Sequence, residues 1–370
     1  ATHLAHSTTR LMRTGGAIGQ AVGYAAALCC RYGCTPRQVY EQHLDELQQG
    51  LLEADATILA RPVRGEGDLA RLATVSATSE VRFNDQKPAH FVPLIATGGA
   101  VLWDWPATLE GVSFYLRNGS DAEQALTLMV YRARRERKWK TTDEYEEYAR
   151  HDLRDEAFAL LLSVPFTLSA GHDGWCEIRL PQALHIGPKD SCSDDDRLLI
   201  ALSENQWVSW ALAQRQMETV ELVEHSHFNP VWRSLKVTPT LRLMPAPAYG
   251  EATNVINGFH RRFSCGPLNM WQSDPAQALP QDLILSWDKP HTFNEVHLTF
   301  DNLARLRHEQ PWECGRRVLP ILTKDYELAW WDGGDWRILL SEEDNYHRFR
   351  THHFAPVTTN RLRLRVSAIH

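Results

Sequence analysis

The chain has 370 residues, with 39 Lys and Arg against 46 Asp and Glu, a net charge of −7, 43% hydrophobic residues and 13 Trp. A chain of this length builds two or three domains with ample core, and its acidic balance excludes the broad basic field that gathers nucleic acid. The seven Cys are odd in number and lack the spacing of a zinc site or a disulfide framework, so free thiols are expected, with Cys29, Cys30 and Cys34 packing around a helix end.

Residues 1 to about 60 read as two helices. A polar stretch holding His3, His6, Arg10 and Arg13 runs directly into Gly15–Cys30, which is almost wholly Gly, Ala and small apolar residues. Gly15, Gly19 and Gly23 recur every fourth residue, on one helix face. A helix so small lets another backbone or a flat cofactor come close. Its amino end directs free N–H groups and partial positive charge toward an anion or a carbonyl oxygen. The apolar run is 16 residues long, contains Gln20, and is flanked by Arg13 and Arg31. A bilayer span needs about 20 residues, so the run predicts a buried soluble helix and no membrane span. The first helix ends near Tyr32, with Gly33 just after the cap. The second opens on Thr35-Pro36-Arg37-Gln38: Thr35 caps, Pro36 suits the first helical position, and Gln38 completes a capping box. Tyr40, Leu44, Leu47 and Leu51 then give that helix one apolar face. There is no signal peptide pattern, and Ala1 in place of Met reads as a cleavage or expression boundary.

From 69 to 245 the pattern changes to short β-rich runs bounded by Gly, Pro, Asn or Asp: LARLATVSATSEV, LEGVSFYLRNGS, ALTLMVYRAR, WCEIRLP and RLLIALSENQWVSWALA. These predict an antiparallel β-sandwich. Between Arg132 and Arg154 a basic then acidic excursion reads as a solvated helical insertion. The Pro-rich joint Met244–Gly250 marks a boundary. Residues 251–370 form another β-rich unit, in which Asp332-Gly333-Gly334-Asp335 signals a hairpin turn. The expected fold is mainly β: an N-terminal helical hairpin over 1–60, then two antiparallel, jelly-roll-like β-sandwiches over 69–245 and 251–370.

Most motifs have plain readings. Gly65-Glu66-Gly67-Asp68-Leu69-Ala70 matches a dinucleotide fingerprint in letters, but a linker precedes it and a strand-like segment follows, so it reads as a loop. His225 with His227, and His352 with His353, lack the partners of a metal site. Ser191–Asp196 lacks the ligand order of a calcium loop. No G-x-S-x-G elbow and no H-E-x-x-H is present. His3, His6, Arg10 and Arg13 have two readings: polar residues at a helix end, or the lining of a flavin and its substrate. On the second, the amides of Thr14, Gly15 and Gly16 serve the flavin's pyrimidine edge, where negative charge gathers on reduction, and an imidazole near N5 exchanges the substrate's hydroxyl proton as hydride leaves carbon.

The run Thr2-His3, Ala5-His6, Arg10-Leu11-Met12 and Gly19-Gln20-Ala21-Val22-Gly23-Tyr24-Ala25-Ala26-Ala27 resembles the carboxy-terminal end of the flavin domain in a bacterial family of FAD-dependent oxidoreductases, distant relatives of fumarate reductase flavoproteins. The resemblance covers about the first 55 residues. It implies that the loop and helix start from His3 through Gly16, with Met12 and Arg13, lie against the flavin ring. It places FAD in the intact enzyme but not on this chain, where the Rossmann portion with its G-x-G-x-x-G turn is missing. Further on, Ala252–Gly258, Asn269–Asp274, Leu279–Leu283 and Val357–Val366 resemble a discoidin-like, galactose-binding-type jelly roll, in which Trp271 belongs to the fold signature.

Together these imply the C-terminal part of an oxidoreductase that passes hydride from an alcohol or carbohydrate-like donor to FAD and is inactive in isolation. His3 or His6 would accept the proton and Arg10 would orient an oxygen. Its partner is a flavin-binding portion in cis or in trans, with a carbohydrate as possible ligand of the β modules. The competing expectation is a non-catalytic carbohydrate-binding or adhesion protein.

Overall fold

A computed structural model describes residues 12–58, 61–65, 67–134, 153–154, 158–187, 196–217, 219–225, 231–260, 269–301 and 321–370. The chain is mainly β and divides into two compact units. One takes the residues up to Val81 and those from Gly250 to the end; the other is Arg82–Tyr249.

The first unit opens with three helices: α1 (Met12–Tyr32), α2 (Pro36–Gln42) and α3 (Leu44–Glu53). Gly33 ends α1 at φ +60, a left-handed conformation that glycine adopts at no steric cost. The Thr35 side chain accepts from the Gln38 amide, and the Gln38 side chain accepts from the Thr35 amide at 2.8 Å, closing the expected capping box. The second helix differs from expectation. It breaks at His43, whose ring stacks on Tyr32 at 4.1 Å. Tyr40, expected on the apolar face, is exposed, while Val39, Leu51 and Leu52 are buried. The hairpin closes where Tyr24 lies against Gly50, at a spot where any Cβ would collide with the phenol ring.

A 3₁₀ turn (Leu69–Leu72) and strand β1 (Thr74–Ala77) follow. The sequence assigned this stretch to the middle sandwich. The structure pairs β1 antiparallel with β14 (Gln281–Thr299), matching Val75 to Leu285. The reason is burial: Val75 and Ala77 pack on Leu283, Tyr326 and Leu364, an apolar surface available only in the C-terminal sheet. That sheet runs β1-β14-β17-β15-β16, with β15 at Thr323–Trp331, β16 at Trp336–Glu342 and β17 at Phe349–Ile369. The whole of Phe349–Ile369 is one long strand, β17, paired with β14 across register breaks that let both bend. Alternation in RLRLRV sorts Leu362, Leu364 and Val366 to the core and the arginines to the other face. There Arg365 grips Asp282 through two bonds of 2.7 and 2.8 Å, and Arg363 meets Glu327 at 3.0 Å. Trp271 packs on this core and donates Nε1–H to the Ser79 carbonyl at 2.9 Å, so it is a structural residue.

The Asp332–Asp335 hairpin forms as expected, with Gly333 at φ +103. Asp332 accepts the amides of Asp335 and Gly334 and the Arg337 guanidinium, which lower its carboxyl to about 2. A depressed acid stabilises the turn fully above the ordinary aspartate range and loses that contribution as pH falls through about 2. In a carboxyl-carbon NMR titration, Asp332 should therefore titrate well below the ordinary aspartate range, and Asp332→Asn should remove that acid-side signature.

The second unit holds two antiparallel sheets. One runs β13-β4-β10-β2 with β8 also on β4: β2 is Pro88–Leu94, β4 Thr108–Asn118, β8 Asp173–His185, β10 Asn205–Ala213 and β13 Leu241–Met244. The seven-stranded sheet runs β6-β12-β11-β3-β9-β5-β7: β3 is Gly98–Leu102, β5 Gln124–Arg134, β6 Leu153–Arg154, β7 Phe158–Leu168, β9 Asp196–Leu202, β11 Val220–His225 and β12 Val231–Ser234. Strand β9 sits inside it and is apolar without alternation, because both faces are covered. Leu199 and Ala201 pack with Val101, Val223 and Trp232, while Leu198, Ile200 and Leu202 are also fully buried. The expected helical insertion lies largely outside the described residues; its ends, up to Arg134 and at Leu153–Arg154, are strand.

Candidate functional site

The candidate site is the first half of α1. A helix beginning at Met12 leaves the N–H groups of its first turn outside the i→i−4 ladder. No acidic residue stands in that turn to neutralise its partial positive charge. Thr14 is half-buried, and Gly15 and Gly16 are exposed. The structure therefore places these three residues together in the first described turns of α1. Met12 and Arg13 belong to the same turn, but their side chains lie outside the described residues, as do His3, His6 and Arg10 altogether.

The helix has two unlike faces. Tyr24, Leu28 and Cys29 turn toward the hairpin, and Leu28 is fully buried. Gly15, Ile18, Gly19, Val22, Gly23, Ala26 and Ala27, spaced three and four apart, are all exposed. A Cβ built on Gly15, Gly16, Gly19 or Gly23 would meet nothing within 4 Å. The expectation of a buried helix therefore holds for one face only. Sequence reading missed the exposed pair Ile18 and Val22, which are 48% and 63% accessible. Their four-residue spacing beside the glycine row was the available signal. A continuous small and apolar stripe left open on a helix is the mark of an association surface.

The segment after the helices is tied to the C-terminal sheet. Asp55 forms an ion pair with Arg348, whose guanidinium also donates to the His260 carbonyl. The Val63 amide donates to the Gly258 carbonyl at 2.8 Å. Burial pushes the His260 imidazole below its ordinary range, against the opposing pull of Asp55.

Among the described residues, no group of three metal-ligating side chains comes together. His225 lies against Trp232 with ring centroids 5.1 Å apart, and His352 takes a 2.7 Å hydrogen bond with Tyr326. His227 and Ser191–Asp195 lie outside the described residues. No helix among the described residues is long and apolar enough to cross a membrane. The Gly65–Ala70 stretch runs into the 3₁₀ turn at Leu69 with no strand before it among the described residues, which is not the strand–loop–helix of a pyrophosphate site.

With this geometry in hand, comparisons sharpen the picture. The FAD dependent oxidoreductase family matches residues 1–51. No curated protein matches the chain. Among solved structures, the family 32 carbohydrate-binding module of Streptococcus pneumoniae EndoD is 17% identical, over 34% of this chain and 76% of its own, at a TM-score of 0.26. The family 32 module of C. perfringens NanJ, solved with galactose, is 16% identical over 32% and 74%, at 0.22. Chitosan-binding module 2 from a Paenibacillus sp. IK-5 chitosanase/glucanase, solved with chitotriose, is 14% identical over 32% and 75%, at 0.24.

The exposed glycine row leaves room for a flat ring such as a flavin to approach α1 closely. Nothing among the described residues forms a glycine-lined cradle for the pyrophosphate.

Proposed function

We propose that this chain is the C-terminal part of an FAD-dependent oxidoreductase, whose open α1 face docks on a flavin-binding portion supplied in cis or in trans. One observation carries the proposal: the residues matched to the flavoprotein family include a helix face of Gly15, Ile18, Gly19, Val22, Gly23 and Ala26 that is bare in this chain.

FAD, when bound, supplies the hydride acceptor for an alcohol or carbohydrate-like donor. The chain's own residues do the rest. The amides of Thr14, Gly15 and Gly16 donate to the ring's pyrimidine edge, and the positive helix end stabilises charge gathering there. Met12 and Arg13 line the same turn. His3 or His6 takes the donor's hydroxyl proton, and Arg10 orients its oxygen. In isolation the chain retains no FAD. The C-terminal unit takes a carbohydrate at its loop ends, as the resemblance over Ala252–Gly258 and Asn269–Leu283 implies. A glycan-array test with the whole chain examines that arm separately.

The decisive experiment combines chain 1–370 with the upstream flavin-binding portion and follows bound flavin absorbance and turnover. Gly19→Leu should not lower the chain's own unfolding midpoint, since its side chain would meet open space and leucine favours the helix more than glycine does, yet it should lower flavin retention in the combined protein by tenfold or more. Flavin bound stoichiometrically to 1–370 alone, or an unaffected Gly19→Leu protein, would overturn the proposal.

A further inference from the structure

Tyr32 is the last residue of α1, Gly33 follows at φ +60, and the Cys34 amide donates to the Cys29 carbonyl at 3.1 Å. This is the six-to-one bond of a Schellman cap. In that cap the side chains three residues before the turn and just after it meet, commonly as an apolar pair. Here both are cysteines, both free and both half-buried, while Cys30 between them is exposed. The backbone bond brings the two residues that carry these thiols together across the turn. A disulfide needs Cα atoms about 4.4–6.8 Å apart, and a backbone hydrogen bond directly between the two residues puts them in that range.

We propose that Cys29 and Cys34 close a reversible intrachain disulfide when the chain meets a small-molecule disulfide such as oxidised glutathione, making the cap of α1 a redox-modified site. The Cys34 thiolate attacks one glutathione sulfur; that S–S bond breaks and one glutathione thiolate leaves. The Cys29 thiolate then attacks the Cys34 sulfur, the mixed disulfide breaks, and the second glutathione leaves. The protein thiols lose two protons and two electrons, and the glutathione disulfide takes them up as two thiols. Burial, and then the neighbouring Cys34, push the Cys29 thiol above its usual range, which slows its own attack on the external disulfide. The bond fixes the turn beneath the Tyr32–His43 stack. The open Gly15–Ala27 stripe takes no part, so this inference stands or falls independently of flavin docking.

The test treats folded 1–370 with oxidised glutathione, alkylates the remaining thiols, and maps the peptide holding all three cysteines by fragmentation mass spectrometry. The expected result is a Cys29–Cys34 linkage with loss of two hydrogens, retained in Cys30→Ser and reversed by dithiothreitol. Cys29→Ser should keep a stable glutathione adduct on Cys34 and form no internal link. A linkage that includes Cys30, a lasting glutathione adduct on Cys34 in the unsubstituted chain, or three alkylated thiols after treatment would each overturn the proposal.

Discussion

Replacing Arg348 with alanine is expected to destabilise the first unit by about 3 kcal/mol, because it removes the guanidinium paired with a carboxylate that has left bulk water. The Asp55 and Arg348 side chains are only 17% and 14% exposed. Arg348 is also the donor that meets the His260 carbonyl, so its loss orphans a second acceptor. The pair lies far apart in sequence and joins the end of the helical segment to the strand-entry loop of β17. Its loss should free the helices from the sheet before the sheet itself melts. Urea unfolding followed by a helical CD signal and by tryptophan fluorescence should then give two separated transitions where the unsubstituted unit gives one. The double substitution Asp55→Asn with Arg348→Met should recover much of the loss, since it removes the uncompensated charge. A single Arg348→Ala protein with an unchanged midpoint would show that the pair contributes nothing.

Trp210→Ala carries the largest expected cost in the second unit, about 4 kcal/mol. The side chain is 1% exposed. It meets Phe114 edge-on with ring centroids 5.1 Å apart, and its Nε1–H donates to the Thr240 carbonyl at 2.7 Å. Truncation therefore opens a large cavity and leaves a buried carbonyl unpaired. Trp210→Phe separates the two contributions: it keeps most of the packing and loses the hydrogen bond, and should cost about 1–2 kcal/mol. Denaturant melts monitored in the β region of the CD spectrum would check both.

What the sequence disclosed was mainly what neighbours along the chain decide. Gly33 and the Thr35–Gln38 box place a helix end and a helix start, because both caps are made within a few residues. The break at His43 has no such marker: neither Pro nor Gly is there, and the residue is held by stacking on Tyr32. Strand β1 was legible as a strand but not as a member of the C-terminal sheet, since its partner is set by which apolar face it can cover. Strand β9 reads as an unbroken apolar run, and only the structure shows that both sides are covered. At the site, the glycine spacing of α1 marked out one helix face, and that face is exposed. That one face lies open while the other packs on α3 follows from the Tyr24–Gly50 contact, which no pattern in the sequence announced.

Strand β1 and β14 belong to one sheet, yet the whole of Arg82–Tyr249 is threaded between them. Val81 and Gly250, the residues where the chain departs and returns, are themselves bridged, with Gly250 donating to the Val81 carbonyl at 3.0 Å. The middle unit is thus a continuous stretch of chain that is synthesised in full before β14 is begun. The C-terminal sheet is not: its first strand waits, edge unpaired, until about two hundred further residues have been made. Birth order and spatial order run opposite ways in this protein, and a nascent chain stalled near residue 280 should hold a finished middle unit beside an unsheltered β1.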